Sequence, residues 1–148
     1  MATGFVGPLD TAKSYRIVSE EAMNQILADH AVWVASGFSD TVGRRANFGH
    51  VDLSGHDLSG QNLVWAVFGG ANLRGTNFTG ALLRAVQLWV ADLTGAILNG
   101  ADVRRAYCSR ADLTGIHWDA QTQWERAYLE EARINPEDIP QMRLALLP

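Results

Sequence analysis

The feature that most constrains this chain is a period of five residues. From Ala46 it reads ANFGH, VDLSG, HDLSG, QNLVW, AVFGG, ANLRG, TNFTG, ALLRA, VQLWV, ADLTG, AILNG, ADVRR, AYCSR, ADLTG and IHWDA, fifteen pentads over 75 residues with no insertion, ending at Ala120. The third position is apolar in all fifteen, running from Phe48 and Leu53 to Leu113 and Trp118. Two positions earlier the residue is small, most often alanine, as at Ala66, Ala71, Ala91 and Ala111. A period of five fits neither an amphipathic helix near 3.6 nor a strand at 2. Two inward positions recurring at one spacing describe a short straight segment followed by a corner, which only a coiled solenoid supplies.

A second periodicity sets the size of the coil. Every fourth pentad gives VDLSG, ANLRG, ADLTG and ADLTG, closed by Gly55, Gly75, Gly95 and Gly115, and the neighbouring register carries Gly60, Gly80 and Gly100. Four pentads therefore form one coil of 20 residues, a square with a pentad on each side. The pattern resembles the pentapeptide-repeat family, with its consensus A(D/N)LXX, over residues 46–120. The resemblance implies an all-β fold, a right-handed quadrilateral β-helix of about four coils, stacked roughly 18 Å high at strand spacing. Gln61, Thr76, His56 and Ile116 depart from the small inward residue, and Leu82, Ile97, Val67 and Tyr107 from the Asp/Asn.

Solenoids expose core at both ends and need caps. Residues 1–45 are expected to hold an N-terminal cap, with a helix over about 20–35. Ser19 is its N-cap, Glu20 and Glu21 fill its first turn, and Met23, Ile26, Leu27, His30, Ala31 and Val34 form its apolar stripe before Gly37 stops it. Val18 and Met23 sit at hydrophobic-staple spacing, and Lys13 to Val18 reads as a short strand. Residues 121–148 are expected to form a C-terminal helical cap. Thr122 and Glu125 are spaced as a capping box ahead of Trp124, Tyr128 and Leu129, and a second helix follows Asn135-Pro136 toward Leu144, Leu146 and Leu147. Ala127-Tyr-Leu-Glu-Glu and Ala132-Arg-Ile-Asn-Pro also fit the pentad one residue out of phase. The glutamates and Arg133 favour the helix.

Little in the chain points to catalysis. Cys108 is the one cysteine, so no intramolecular disulfide or Cys-cluster zinc site is available, and its inward position makes it a small hydrophobe. His30, His50, His56 and His117 include no i, i+4 pair. Asp52, Asp92 and Asp112 stack with Asn72 on one side of the square, where turn hydrogen bonding explains them better than a cation does. There is no phosphate-binding loop, nucleophile elbow or dinucleotide fingerprint. The expected class is a non-enzymatic protein without catalytic, cofactor or metal residues.

The anomaly is apolar. Val64, Trp65, Val67, Leu82, Trp89, Val90 and Tyr107 take outward positions on two adjacent sides, with Arg84, Arg104, Arg105 and Arg110 around them. Either a terminal segment folds back over them, or they form a surface for a protein partner or a homodimer. The expected function is a protein-interaction or scaffold module acting through that side. The resemblance implies an alternative. Some family members, including the fluoroquinolone-resistance group, are dimeric acidic rods that imitate B-DNA and engage type II topoisomerases. Here the column carries six aspartates against five arginines, a net of −1, whereas duplex DNA bears one charge per roughly 1.7 Å. A net charge of −4 overall gives no expectation of direct nucleic-acid binding. With neither a signal-like N-terminus nor an apolar run of membrane-spanning length, the expectation is a cytoplasmic protein without a membrane partner.

Overall fold

A computed structural model describes residues 14–145 of the chain. Its backbone is organised by parallel bridges between residues 20 apart: Asp52 to Asn72, Asn72 to Asp92 and Asp92 to Asp112 on one side, with equivalent sets on the other three. Side one begins at Ala46, Ala66, Val86 and Ala106; side two at Val51, Ala71, Ala91 and Ala111; side three at His56, Thr76, Ala96 and Ile116; side four at Gln61, Ala81 and Ala101.

Two hydrogen-bond patterns build the coil from the pentad. Between coils, the third residue donates to the carbonyl of the coil beyond, as Leu53 N–H does to Asn72 O at 2.9 Å, while the second accepts its counterpart from the coil before. Within a coil, the first residue of each pentad donates back three positions, as Ala91 does to Leu88 O at 3.0 Å, closing a β-turn at the corner. The third residue of that turn takes positive φ, as a type II turn requires. Asp or Asn at the second position adds a side-chain brace: Asp92 Oδ1 accepts from Thr94 N–H, and Asp52 Oδ1 from Ser54 N–H, each at 3.0 Å.

The third-position column fills the interior. Leu53, Leu73, Leu93 and Leu113 are at most 1% exposed, and Phe48 stacks on Phe68 at 5.2 Å in the neighbouring column. Cys108 belongs to the same dry core, and burial pushes its thiol up to about 12. The polar inward residues are satisfied or wet. Thr76 Oγ1 donates to Leu53 O at 2.9 Å, whereas His56 and Gln61 lie in the first coil, half-exposed and exposed.

α1 spans Glu20–Ala35, with Ser19 Oγ accepting from Ala22 N–H and Gly37 in the left-handed region just past its end. Met23 joins the buried cluster, and Val18, Ile26 and Leu27 pack against it. Ahead of α1, Arg16 bridges Val51 and so adds one pair to the first coil. The expected strand reached back to Lys13, which lies outside the described residues. His30 is fully buried, its Nδ1 accepting from Ala46 N–H at 2.9 Å, which ties α1 to the first pentad.

The C-terminal segment corrects the sequence expectation. No helix opens at Thr122. Bridges resume with a spacing of 21, Asp102 to Gln123, Tyr107 to Tyr128 and Asp112 to Arg133, so the coil continues through three more pentads after one extra residue. The solenoid therefore passes its expected limit at Ala120, and among the described residues the C-terminal segment holds one helix, α2, Ile139–Ala145. Asp119 absorbs the extra residue: its Oδ1 accepts from Gly100, Gln121 and Thr122 N–H at 3.0–3.1 Å. Thr122, read from sequence as a helix cap, instead points inward and donates to Leu98 O at 2.9 Å, as Thr76 does to Leu53. Trp124 takes the central position of its pentad at 1% exposure. α2 contributes Met142 to the core, and Asp138, just before it, accepts from Trp118 Nε1 at 3.3 Å. Leu146 and Leu147 lie outside the described residues.

Candidate interaction surface

The four corners of the square are not alike. After sides two and three, every residue with positive φ is glycine: Gly55, Gly75, Gly95 and Gly115, then Gly60, Gly80 and Gly100. The corners flanking side one carry side chains instead. After side four come Trp65, Ala85, Arg105 and Arg126; after side one come His50, Val90, Arg110 and Glu131, with Gly70 as the exception, all at φ between 55° and 66°. A left-handed conformation costs a residue with a Cβ on the order of 1 kcal/mol, and a β-branched one such as Val90 more. The fold has a free alternative in glycine and uses it on the other two corners.

Trp65 and Val90 at those corners, with Trp89, Tyr107 and Tyr128 on side one and Leu82 on the adjoining side four, make an apolar surface. Trp65, Leu82, Trp89, Val90 and Tyr107 are 37–43% exposed, and Tyr128 is 47% exposed. Two residues named from the sequence contribute less. Val67 is buried and leaves the surface, and Val64 is half-buried. Tyr128 was hidden from sequence reasoning by its assignment to a helix; in the continued coil it stacks on Tyr107 at 4.9 Å with rings nearly parallel. The out-of-phase pentad Ala127-Tyr-Leu-Glu-Glu was the signal that pointed to it.

A glycine pair shapes the end of side one and its corner. A Cβ at Gly69 would overlap the indole of Trp89 from the following coil, and one at Gly70 would overlap the imidazole of His50 from the preceding coil. The two rings close over the notch edge to face, 6.4 Å apart. Trp89 is thereby laid along the surface, where an indole gives large contact area at low entropic cost.

Charge is organised at the other flanking corner, where side four meets side one. Asp102 is buried, its side chain only 6% exposed, beside Leu82 in the ladder. It accepts from Arg104 Nε and Nη2 at 2.8 and 2.7 Å and from Arg84 Nη2 at 3.0 Å. Burial pushes its carboxyl up, but the hydrogen bonds from Arg104 and Arg84 outweigh that and hold it down at about 2. On side two, Arg74 pairs with Asp92 at 3.4 Å and Arg133 with Asp112 at 3.1 Å. Asn72 donates to Asp52 at 3.0 Å. The aspartate ladder is therefore an internally paired structural feature. Among the described residues no cluster of His, Cys, Asp and Glu is arranged to hold a metal ion. No helix there is long and apolar enough to cross a membrane.

Comparison with known proteins bears on this geometry. The pattern of the family described as Pentapeptide repeats matches in eight copies across residues 44–80, 62–100 and 91–117. Among solved structures, the chain is similar to HetL from the cyanobacterium Nostoc sp. strain PCC 7120, a pentapeptide repeat protein involved in heterocyst differentiation regulation. The identity is 27% and the TM-score 0.50, covering 60% of this chain and 43% of HetL. Rfr23 from the cyanobacterium Cyanothece 51142 is 32% identical with a TM-score of 0.34, covering 55% of this chain and 62% of Rfr23. A thylakoid-lumen pentapeptide repeat protein of Arabidopsis thaliana is 35% identical with a TM-score of 0.31, covering 55% of this chain and 59% of that one. The chain thus spans less than two thirds of the length of these three proteins. The search of curated proteins found no match.

Proposed function

The chain belongs to the pentapeptide-repeat family, and from that premise we propose that it is a non-enzymatic interaction module. Its docking surface is side one with its two flanking corners and Leu82 of the adjoining side four, and the occupant is a partner protein or a second copy of the chain. Trp65, Leu82, Trp89, Val90, Tyr107 and Tyr128 supply the contact. α1 and α2 act as end caps, each lending a methionine, Met23 and Met142, to the common core.

The observation that carries this reading is the distribution of backbone strain. Eight side-chain-bearing residues hold left-handed backbone at the two corners beside the aromatic side, while the other two corners use glycine. Strain retained where the fold has a cheaper option is a mark of function. Partial exposure of several aromatics in one patch agrees with it. HetL, being involved in the regulation of differentiation, is in keeping with a binding role. The ion pairs of Asp92, Asp102 and Asp112 favour this reading over imitation of a nucleic acid, because each acidic group is matched locally.

The test is the pair Trp65→Ser with Trp89→Ser. Light scattering on the purified chain and affinity capture from its native cells are expected to show lost association, with an unchanged circular dichroism spectrum. Association of the folded double variant at wild-type strength would reject the surface.

A further inference from the structure

Beside the apolar side lies a cleft of about 410 Å³ lined by Arg84, Arg104, Arg105, Glu125 and Arg126. We propose that this cleft receives the carboxylates of an extended acidic segment of a partner protein, whose apolar residues rest on the neighbouring aromatic side. The inference rests on the docking reading above and adds to it the chemistry of the occupant.

Three features assign the ligand. The first is excess positive charge that is held in place. Asp102, from behind the cleft, fixes Arg84 and Arg104 with hydrogen bonds of 2.7–3.0 Å. One carboxylate cannot occupy the donors of two guanidiniums, each of which has five N–H groups. Those left over are oriented in advance, which lowers the entropy lost when an anion binds. The second feature is Arg105 and Arg126, exposed in consecutive coils of one corner column. Among the described residues neither enters an ion pair. Both hold left-handed backbone, at φ 57° and 60°, in the column that Trp65 heads.

The third feature separates a peptide from other polyanions. Glu125 lines the same cleft, so one carboxylate acceptor stands among the four arginines. An extended peptide offers N–H groups alternating with its side chains, so its backbone donates to Glu125 while its carboxylates meet the arginines. A DNA strand has no donor along its sugar-phosphate backbone and brings its charge against Glu125. A long polyanion also meets a chain with a net charge of −4.

The test uses a fluorescein-labelled hexapeptide, Glu-Glu-Leu-Glu-Glu-Leu, titrated with the full chain and followed by anisotropy at about 50 mM salt. Controls are the same peptide with glutamine for glutamate and a labelled hexathymidylate. The variant is Arg105→Asn with Arg126→Asn, because asparagine tolerates the left-handed corner and spares the fold. Saturable binding is expected, weakened roughly tenfold or more in the arginine variant and lost with the glutamine peptide. Absence of saturable binding, equal binding by the arginine variant, or tighter binding of hexathymidylate would each overturn the proposal. Failure of the docking reading looks different. The Trp65→Ser, Trp89→Ser variant would then keep its cellular association, whatever the hexapeptide does.

Discussion

Replacing Asp102 by asparagine removes a charge from one of the most tightly bonded side chains in the solenoid while preserving its size. The native carboxyl titrates at about 2, against 3.8 for an unperturbed aspartate. That difference corresponds to about 2 kcal/mol of stability at neutral pH. The sign follows from the direction of the shift. A carboxyl whose folded value is depressed contributes fully above its unfolded value and loses the contribution as pH falls through the folded one. The linkage relation leaves about half of that at pH 3 and little of it at pH 2. Arg84 and Arg104 add little to the penalty, since their side chains are 52% and 37% exposed and remain solvated once released. Urea unfolding of wild type and Asp102→Asn, at pH 7 and again at pH 3, reads the quantity directly. The difference between the proteins is expected near 2 kcal/mol at pH 7 and about half that at pH 3. Other carboxylates titrate in both proteins and cancel in the difference. A penalty below about 0.5 kcal/mol at pH 7, or one that does not change with pH, would refute the claim that the two arginines outweigh burial at this site.

Leu93→Ala, at a fully buried position between Leu73 and Leu113, is expected to cost about 2–5 kcal/mol in denaturant unfolding, while Leu82→Ala on the exposed side costs far less. Cys108, with its thiol pushed up to about 12 by burial, is expected to resist Ellman's reagent at pH 8 in the native protein and to react with one equivalent in urea. Fast native labelling would show that the coil opens there. Gly95→Ala meets no neighbouring atom but holds φ +69°, so it is expected to lose about 1 kcal/mol while binding like wild type. Gly69→Ala has no such backbone demand, and its Cβ would overlap the Trp89 indole, which has to move. Its thermal midpoint should stay close to wild type while the fluorine resonance of 5-fluorotryptophan at position 89 moves; an unmoved resonance would show that Gly69 does not seat the indole.

The family was legible because its signal is local and repeated. Each pentad carries its own inward Leu or Phe and its own small residue, so departures such as His56 and Gln61 could not mask the period. The N-terminal helix was legible for the same kind of reason: Ser19, the acidic first turn and Gly37 lie within reach of the backbone groups they satisfy. The helix expected at Thr122 shows where local signals stop being enough. Thr122 and Glu125 have the spacing of a capping box, and the nearby glutamates suit a helix. The coil already formed at Ala101–Gly115 offers an open row of N–H and C=O groups, and the hydrogen bonds of Gln123, Tyr128 and Arg133 to it outweigh that preference. A one-residue slip would ordinarily turn the inward positions out, and Asp119 prevents this by folding the extra residue into a turn.

By itself the sequence determined which residues face inward and that segments 20 apart lie over one another, because a constant period admits only one way of burying every fifth side chain. Only the tertiary structure decided what the corners and the last coil do. Whether Val90 or Arg105 accepts left-handed backbone, whether Trp89 lies over Gly69, and whether Asp102 grips one arginine or two all depend on neighbours one coil away, at a distance in sequence where no local preference reaches.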